Sequence, residues 1–206
     1  MKNINLSEVV ATAKSVLTQP ASFFAARKLE KGVKKAFWYF AAISLLEVFI
    51  AIVSFLIIGS SVNIVYKLAG VAPEGEQSFP QMLPVLVFGY FFGLAFSFVS
   101  AGLLHLWIRL FRGKGNYSKT YQLFVYTHTP RALLSWIPVI GGLIAWVYGF
   151  VLLVIGAQIF HSISRRRAIV IFIIPFLLTV VLVLFGFIAF LLLLKNIPSG
   201  QGLPYS

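Results

Sequence analysis

The chain alternates long apolar runs with short polar breaks. Phe37 to Ile58 is mostly apolar, and Glu47 is its one charged residue. Pro84 to Phe111 follows, and no Asp, Glu, Lys or Arg occurs between Glu76 and Arg109. Val139 to Phe160 is a third run, and Ala168 to Leu194, with Pro175 and Gly186 inside it, is a fourth. A helix needs ~20 mostly apolar residues to cross a bilayer, so each run predicts a membrane span. Between the second and third lies an ambiguous stretch, Ser118 to Pro138. It contains "VYTHTPRALLSW", which puts His128, Pro130 and Arg131 within four positions.

Charge decides how to read that stretch. With the N-terminus in the cytoplasm and five crossings, the inner side holds seven Lys or Arg before residue 36. It also holds Arg109, Arg112, Lys114 and Lys119 in one loop and Arg165, Arg166 and Arg167 in another. The outer side holds only Lys67 and Lys195, with Glu74 and Glu76 in its loop. If residues 118–138 did not cross, the triple arginine would face outward. The bias of Lys and Arg toward the cytoplasm therefore predicts five spans, at about 37–58, 84–111, 118–138, 139–160 and 168–194. The expectation is a cell-membrane protein with its N-terminus inside and its C-terminus, residues 195–206, outside.

The first 36 residues form a basic segment of their own. They lack a central apolar run, so they do not read as a cleavable signal. Leu6, Val9, Val10, Ala13, Val16 and Leu17 recur at helical spacing, and Asn5 with Glu8 fits a capping box. Pro20 marks a break, after which Phe23 and Phe24 precede a basic stretch. This predicts short amphipathic helices. Both lying on the inner leaflet and packing against the spans fit the pattern.

Composition agrees and narrows the chemistry. The 206 residues are 60% hydrophobic and 11% charged, where a soluble domain is nearer a quarter charged. The fold class expected is all-α: a polytopic bundle of five transmembrane helices with an amphipathic N-terminal segment. Cysteine is absent, which removes disulfides, thiolate metal sites and cysteine nucleophiles. Aspartate is absent and only five glutamates occur, so carboxylate-cluster chemistry has little to work with. No serine-hydrolase elbow, zinc-helix or phosphate-loop motif is present. The net charge of +12 reads as orientation and contact with anionic lipid rather than nucleic acid. Lys34, Lys35, Arg112, Lys114, Arg165, Arg166 and Arg167 are the residues expected to face headgroups. The "RGKGNYSK" loop, Arg112 to Lys119, reads as a cytoplasmic turn. No cofactor, metal or catalytic residue is expected; a protein partner on the cytoplasmic face and an oligomer are both allowed.

Two features concern the interior. The second run carries Gly89, Gly93, Ser97 and Ala101 at every fourth position, a small-residue stripe that favours close helix packing, within the chain before homodimerisation. The fourth span has Gly142, Gly149 and Gly156 seven apart, another flat face. Glu47 lies about ten residues into the first span, and His128 and Arg131 lie nine to thirteen into the third segment. All three are thus roughly 15–20 Å from the cytoplasmic side. A lone charge there costs at least ~2.5–3.5 kcal/mol on insertion scales. Glu47 is therefore expected to pair with Arg131 or with His128, as a buried pair locking two helices or as part of a polar path. His105, His128 and His161 have no helical ligand spacing, so a three-histidine metal site is not expected.

Residues 111–175 carry a further set of marks. A basic glycine-containing loop precedes an aromatic-rich helix with Tyr-x-x-x-Pro at Tyr126 and Pro130. An Ile-Pro-x-x-Gly turn follows at Ile137 to Gly141, then a glycine-bearing span and a short basic loop ending in alanine. In this order they resemble the Yip (Ypt-interacting protein) domain family. The N-terminal "VLTQPASFF" is similar to the start of its prokaryotic members. The resemblance covers about residues 10 to 190 and implies an all-helical, five-span membrane protein. Eukaryotic members act in vesicle trafficking with Rab-type GTPases. The prokaryotic branch, to which the chain is more similar, implies no particular activity. The eukaryotic cytosolic motif, an Asp and a Tyr-Gly-Pro run, is missing, which argues against GTPase binding. Tyr126 and Pro130 carry over as signature positions with a structural role.

Overall fold

The computed structural model describes residues 5–59, 79–137 and 140–195. Lys2, Lys67, Glu74, Glu76 and residues 196–206 of the expected outer tail lie outside them. The described chain folds as helices α1 (Leu6–Thr18), α2 (Pro20–Ala26), α3 (Lys34–Ser54), α4 (Phe79–Leu110), α5 (Tyr117–Thr127), α6 (Thr129–Leu134), α7 (Ile140–His161) and α8 (Arg165–Lys195). A π-helical turn, Phe55–Gly59, extends α3. Among the described residues, four helical stretches, Lys34–Ile57, Phe79–Leu110, Ile140–His161 and Arg165–Leu192, are long and apolar enough to cross a membrane. The architecture is an all-α membrane bundle.

The ambiguous stretch is two short helices rather than one. Pro130 has no N–H to give Tyr126 and its ring crowds that carbonyl, so the helix breaks one residue beyond Thr127 and restarts at Thr129. At the new start the missing N–H costs nothing. With 11 and 6 residues, neither α5 nor α6 alone reaches the length of a span. Placed end to end they run antiparallel to the whole of α7. The Lys114 N–H donates to the His161 carbonyl at 3.0 Å. Further along, Leu123 abuts Gly156, and the Thr127 carbonyl oxygen lies 3.6 Å from where a Gly149 Cβ would stand. The Leu134 carbonyl rests on Gly141.

α5 is the hub. Thr120, Tyr121, Gln122, Leu123, Val125 and Tyr126 are all buried, so most of its surface faces protein. α3, α4 and α7 surround it, and α8 packs outside on α7. A helix enclosed by protein can carry polar residues if neighbours satisfy them, which accounts for its weak apolarity. The outer helices show the reverse: Phe88, Phe91 and Phe92 of α4 and Leu182, Phe185 and Phe187 of α8 are exposed, as lipid-facing residues would be. α4 and α8, of 32 and 31 residues, measure about 48 and 46 Å. Both exceed a ~30 Å hydrocarbon core.

The N-terminal helices pack into the flank of the bundle. Val16 and Phe24 are fully buried, and Phe24 meets Phe160 edge-on at 5.3 Å. The Tyr148 hydroxyl donates to the Leu17 carbonyl at 2.6 Å. Tyr148 lies thirteen residues before His161, about 20 Å from that end of α7. Residue 36 is therefore not a packing boundary. Asn5 is the N-cap of α1, yet its side chain makes no capping bond, so the expected capping box is incomplete.

The small-residue stripe of α4 is used only at one end. Ser97 and Ala101 are buried against α5, but a Cβ at Gly89 or Gly93 would meet nothing within 4 Å. The reason is geometric. At 3.6 residues per turn, each step of four advances the face by about 40°, so Gly89 has rotated about 80° away from Ser97. α3 engages that half of α4 elsewhere, through the Tyr90 hydroxyl on the Ala41 carbonyl at 3.2 Å.

Candidate functional site

α5 and α6 hold the polar interior as a series of levels, each tying in a neighbour. At the first, the Thr120 hydroxyl stands between His105 Nδ1 at 2.7 Å and His161 Nε2 at 3.2 Å, joining α4 and α7. Tyr121 meets Ser97 of α4 at 3.1 Å. Gln122 donates to the Gly32 carbonyl at 2.7 Å, anchoring the entry to α3. Lys119 Nζ donates to the carbonyls of Arg27 and Glu30 at 2.7 and 2.6 Å and to Gln122 Oε1 at 2.8 Å. One buried-facing ammonium thus closes the turn between α2 and α3.

The next level centres on Tyr126, the signature tyrosine. Arg27 donates to its hydroxyl at 3.1 Å and to Glu30 at 2.8 Å. The guanidinium carbon also lies 4.7 and 5.0 Å from the ring centres of Phe23 and Tyr126. Cation–π contact adds to the hydrogen bond, and more so where water is excluded. Thr129, beside the buried Pro130, meets the Tyr39 hydroxyl at 2.9 Å and so holds α3.

The level farthest from the basic end contains the three ionisable residues expected together, and it separates them. His128 Nε2 lies 2.9 Å from Glu47 Oε2. His128 occupies the break between α5 and α6, which turns its ring toward α3 and edge-on to Phe40 at 5.2 Å. Arg131 does not join them: it is exposed, and its side chain makes no hydrogen bond or ion pair among the described residues. The three histidines do not converge either, since His105 and His161 share Thr120 while His128 takes Glu47. Among the described residues no group of three metal-ligating side chains occurs.

The basic residues gather at one end. The Gln122–Gly32 and Lys114–His161 bonds place the starts of α3, α5 and α8 beside the ends of α4 and α7. Lys34, Lys35, Arg112, Lys114, Arg165, Arg166 and Arg167 are all exposed there. Arg112, Arg166 and Arg167 share a cavity of about 420 Å³ with Val170 and Ile171 on its apolar side. None of the three arginines has a carboxylate partner among the described residues. Arg112 sits at φ 64°, a left-handed turn that a non-glycine residue rarely adopts. Arg27 and Lys119 had been counted only as cytoplasmic charges. Their bonds to Tyr126 and to backbone carbonyls leave no trace in a charge count.

A family model described as the Yip1 domain matches residues 14–193. The chain belongs to the Yip1 domain family. No match was found among curated proteins or among solved structures. As a Yip1-domain chain with four helices of membrane-crossing length, it is a multi-pass integral membrane protein. The Yip1 match begins inside α1 and ends near the close of α8, so it takes in the N-terminal helices as well as the bundle. The Tyr126–Arg27 contact is the point where α2 is fastened to the hub of this Yip1 domain.

One further cavity belongs to the site. It measures about 530 Å³ and opens between α4, α5, α6, α7 and α8, with His128 and Arg131 on its wall. Glu47 is not part of its lining.

Proposed function

We propose that this Yip1-domain protein is a non-enzymatic, five-span membrane protein that holds anionic inner-leaflet lipid, and recruits partners, through its basic end. The observation that carries the reading is the convergence of Arg112, Arg166 and Arg167 on one cavity with no carboxylate partner among the described residues. Guanidinium groups pair bidentately with phosphate, and basic pockets at cytoplasmic helix ends favour anionic headgroups. The gathering of basic residues at this end supports a cytoplasmic N-terminus in the cell membrane. The course of α5 and α6 along the full length of α7 supports the third crossing. A trafficking-like role rests on family membership alone.

A second reading is a small transporter or channel with a polar path at Glu47, His128 and Arg131. The cavity that reaches His128 and Arg131 favours it. Against it stands Glu47, held on His128 away from that cavity. Purified protein in liposomes distinguishes the two. The proposed role expects no ion or solute flux from wild type. It also expects clustering of labelled anionic lipid that is lost when Arg112, Arg166 and Arg167 become Gln. Flux that Glu47→Gln abolishes overturns the first reading in favour of the second.

A further inference from the structure

Arg131 sits near the end of the bundle opposite the triple arginine. It lies between the Thr127–Gly149 and Leu134–Gly141 contacts, so it is within about 14 Å of the first residue of α7. Just past α6, the exposed Trp136 ring donates its N–H to the Leu133 carbonyl at 2.8 Å. Exposed tryptophan marks the headgroup level of a bilayer, and a long arginine side chain reaches such a level from within. Arg131 therefore presents a fixed charge near lipid phosphate. Its expected protein partner, Glu47, is taken by His128.

Beside that charge is the apolar cavity of about 530 Å³, within the size range of small-molecule sites. Its floor exists because α7 lacks side chains there: Gly142, Ala145 and Gly149 line it, and a Cβ at Gly142 would meet nothing within 4 Å. Its far wall is rigid and aromatic. Trp146 of α7 stacks on Phe176 of α8 at 3.9 Å between ring centres. Pro175 interrupts the donor series of α8 at the same level. Ser135, one turn beyond Arg131, adds a hydroxyl to the polar end. The space is thus a greasy slot with a single cation at one end.

We infer that this slot binds an anionic phospholipid, with one acyl chain against Gly142, Gly149 and the Trp146–Phe176 pair and its phosphate on Arg131. The charge decides the occupant. A neutral lipid chain fills the slot but leaves the guanidinium unmatched, and a zwitterionic headgroup brings a second cation to it. The site shares no residue with the arginines at the other end.

The test uses the full chain, purified in detergent, with phosphatidylglycerol and phosphatidylcholine of identical chains as probes. Native mass spectrometry counts retained lipid, and thermal unfolding follows stabilisation. Wild type should retain one phosphatidylglycerol in preference to phosphatidylcholine and unfold at higher temperature with it. Loss of a charge-assisted bond should weaken that retention in Arg131→Gln by about ten- to a hundredfold. Gly142→Leu, which points into open space and so spares the fold, should abolish retention of both lipids. Arg166→Gln should leave the preference unchanged, which keeps this site separate from the cytoplasmic one. Inorganic phosphate alone should shift nothing. The inference is overturned by equal retention of the two lipids, by an undiminished preference in Arg131→Gln, or by a phosphate-induced shift equal to that of the lipid. A dimer that Gly142→Leu dissociates would overturn it too, giving the slot to a second copy.

Discussion

His128 and Glu47 meet at 2.9 Å from α3 and from the break between α5 and α6, and Arg131, one turn further on, is left out. Both helices fix the same depth, but only the residue at the break is turned toward α3. The imidazole occupies the carboxylate with one hydrogen bond, so Glu47 has a partner other than Arg131. Replacing Glu47 by Gln keeps a hydrogen-bond partner for the imidazole and should lower stability only slightly. Glu47→Leu leaves the imidazole without its partner in a part-buried site and should cost about 1–3 kcal/mol. Thermal unfolding of the purified variants in one detergent checks the order. Equal melting temperatures for Gln and Leu would show that the bond contributes nothing.

Two adjacent glycines should respond in opposite ways. A Cβ on Gly141 would collide with the Leu134 carbonyl oxygen and approach Ile137 Cβ to 2.7 Å, so backbone must move. A Cβ on Gly142 meets nothing. Overpacking against backbone typically costs about 1–3 kcal/mol, whereas an exposed helical Gly→Ala gains up to about 1 kcal/mol in propensity. Gly141→Ala should therefore melt lower than wild type and Gly142→Ala at or above it. The same contact gives a physical reason for the glycine that closes the Ile137 to Gly141 turn.

Lipid is what made the bundle legible in the sequence. α3, α4, α7 and α8 must each show a long apolar face to hydrocarbon, so apolar runs mark them to within a few residues. Pro20 is legible as a break because its chemistry is local. The depth of Glu47 and His128 followed from counting along two helices that start on one side. Which of His128 and Arg131 would take Glu47 did not, because rotation about a helix axis is set by neighbours. The stripe from Gly89 to Ala101 has the same limit: spacing fixes a face, and packing decides where along the helix that face finds a partner. In the sequence Arg27 and Lys119 count only as cytoplasmic charges, because a cation bonded inside the protein looks like any other in a list of residues.

Thr120 offers a sharper test of the hub. Its single hydroxyl serves His105 and His161 at once. Val matches its shape but removes the hydroxyl, so two imidazole nitrogens on two helices lose their partner together. Unfolding should shift by more than one ordinary hydrogen bond, which is worth about 0.5–1.5 kcal/mol. In a double-mutant set, adding His105→Phe to Thr120→Val should cost less than His105→Phe alone, since contacting residues are not additive. Strict additivity would mean that the two side chains do not act through one bond.

Lys119 should behave unlike every other lysine near it. Its ammonium donates to the carbonyls of Arg27 and Glu30 and to the Gln122 side chain, closing the turn that carries the chain from α2 into α3. Lys119→Met keeps most of the apolar stem beside Phe160, where the ammonium now lies 4.8 Å from the ring centre, but removes all three donors. The two carbonyls then lose a charge-assisted bond, while the contacts of Gln122 and the Arg27–Glu30 pair remain. Amide hydrogen exchange over residues 28–33 should rise by about tenfold or more, as a loss of ~1.5–3 kcal/mol of local stability requires. Exchange in α7 and α8 should stay as it is. Lys31→Met, at an exposed position in the same turn, should leave exchange within a factor of about two, as substitutions away from specific contacts do. Equal exchange in the two variants would reduce Lys119 to one more surface charge and would remove the reason for its place on the hub helix.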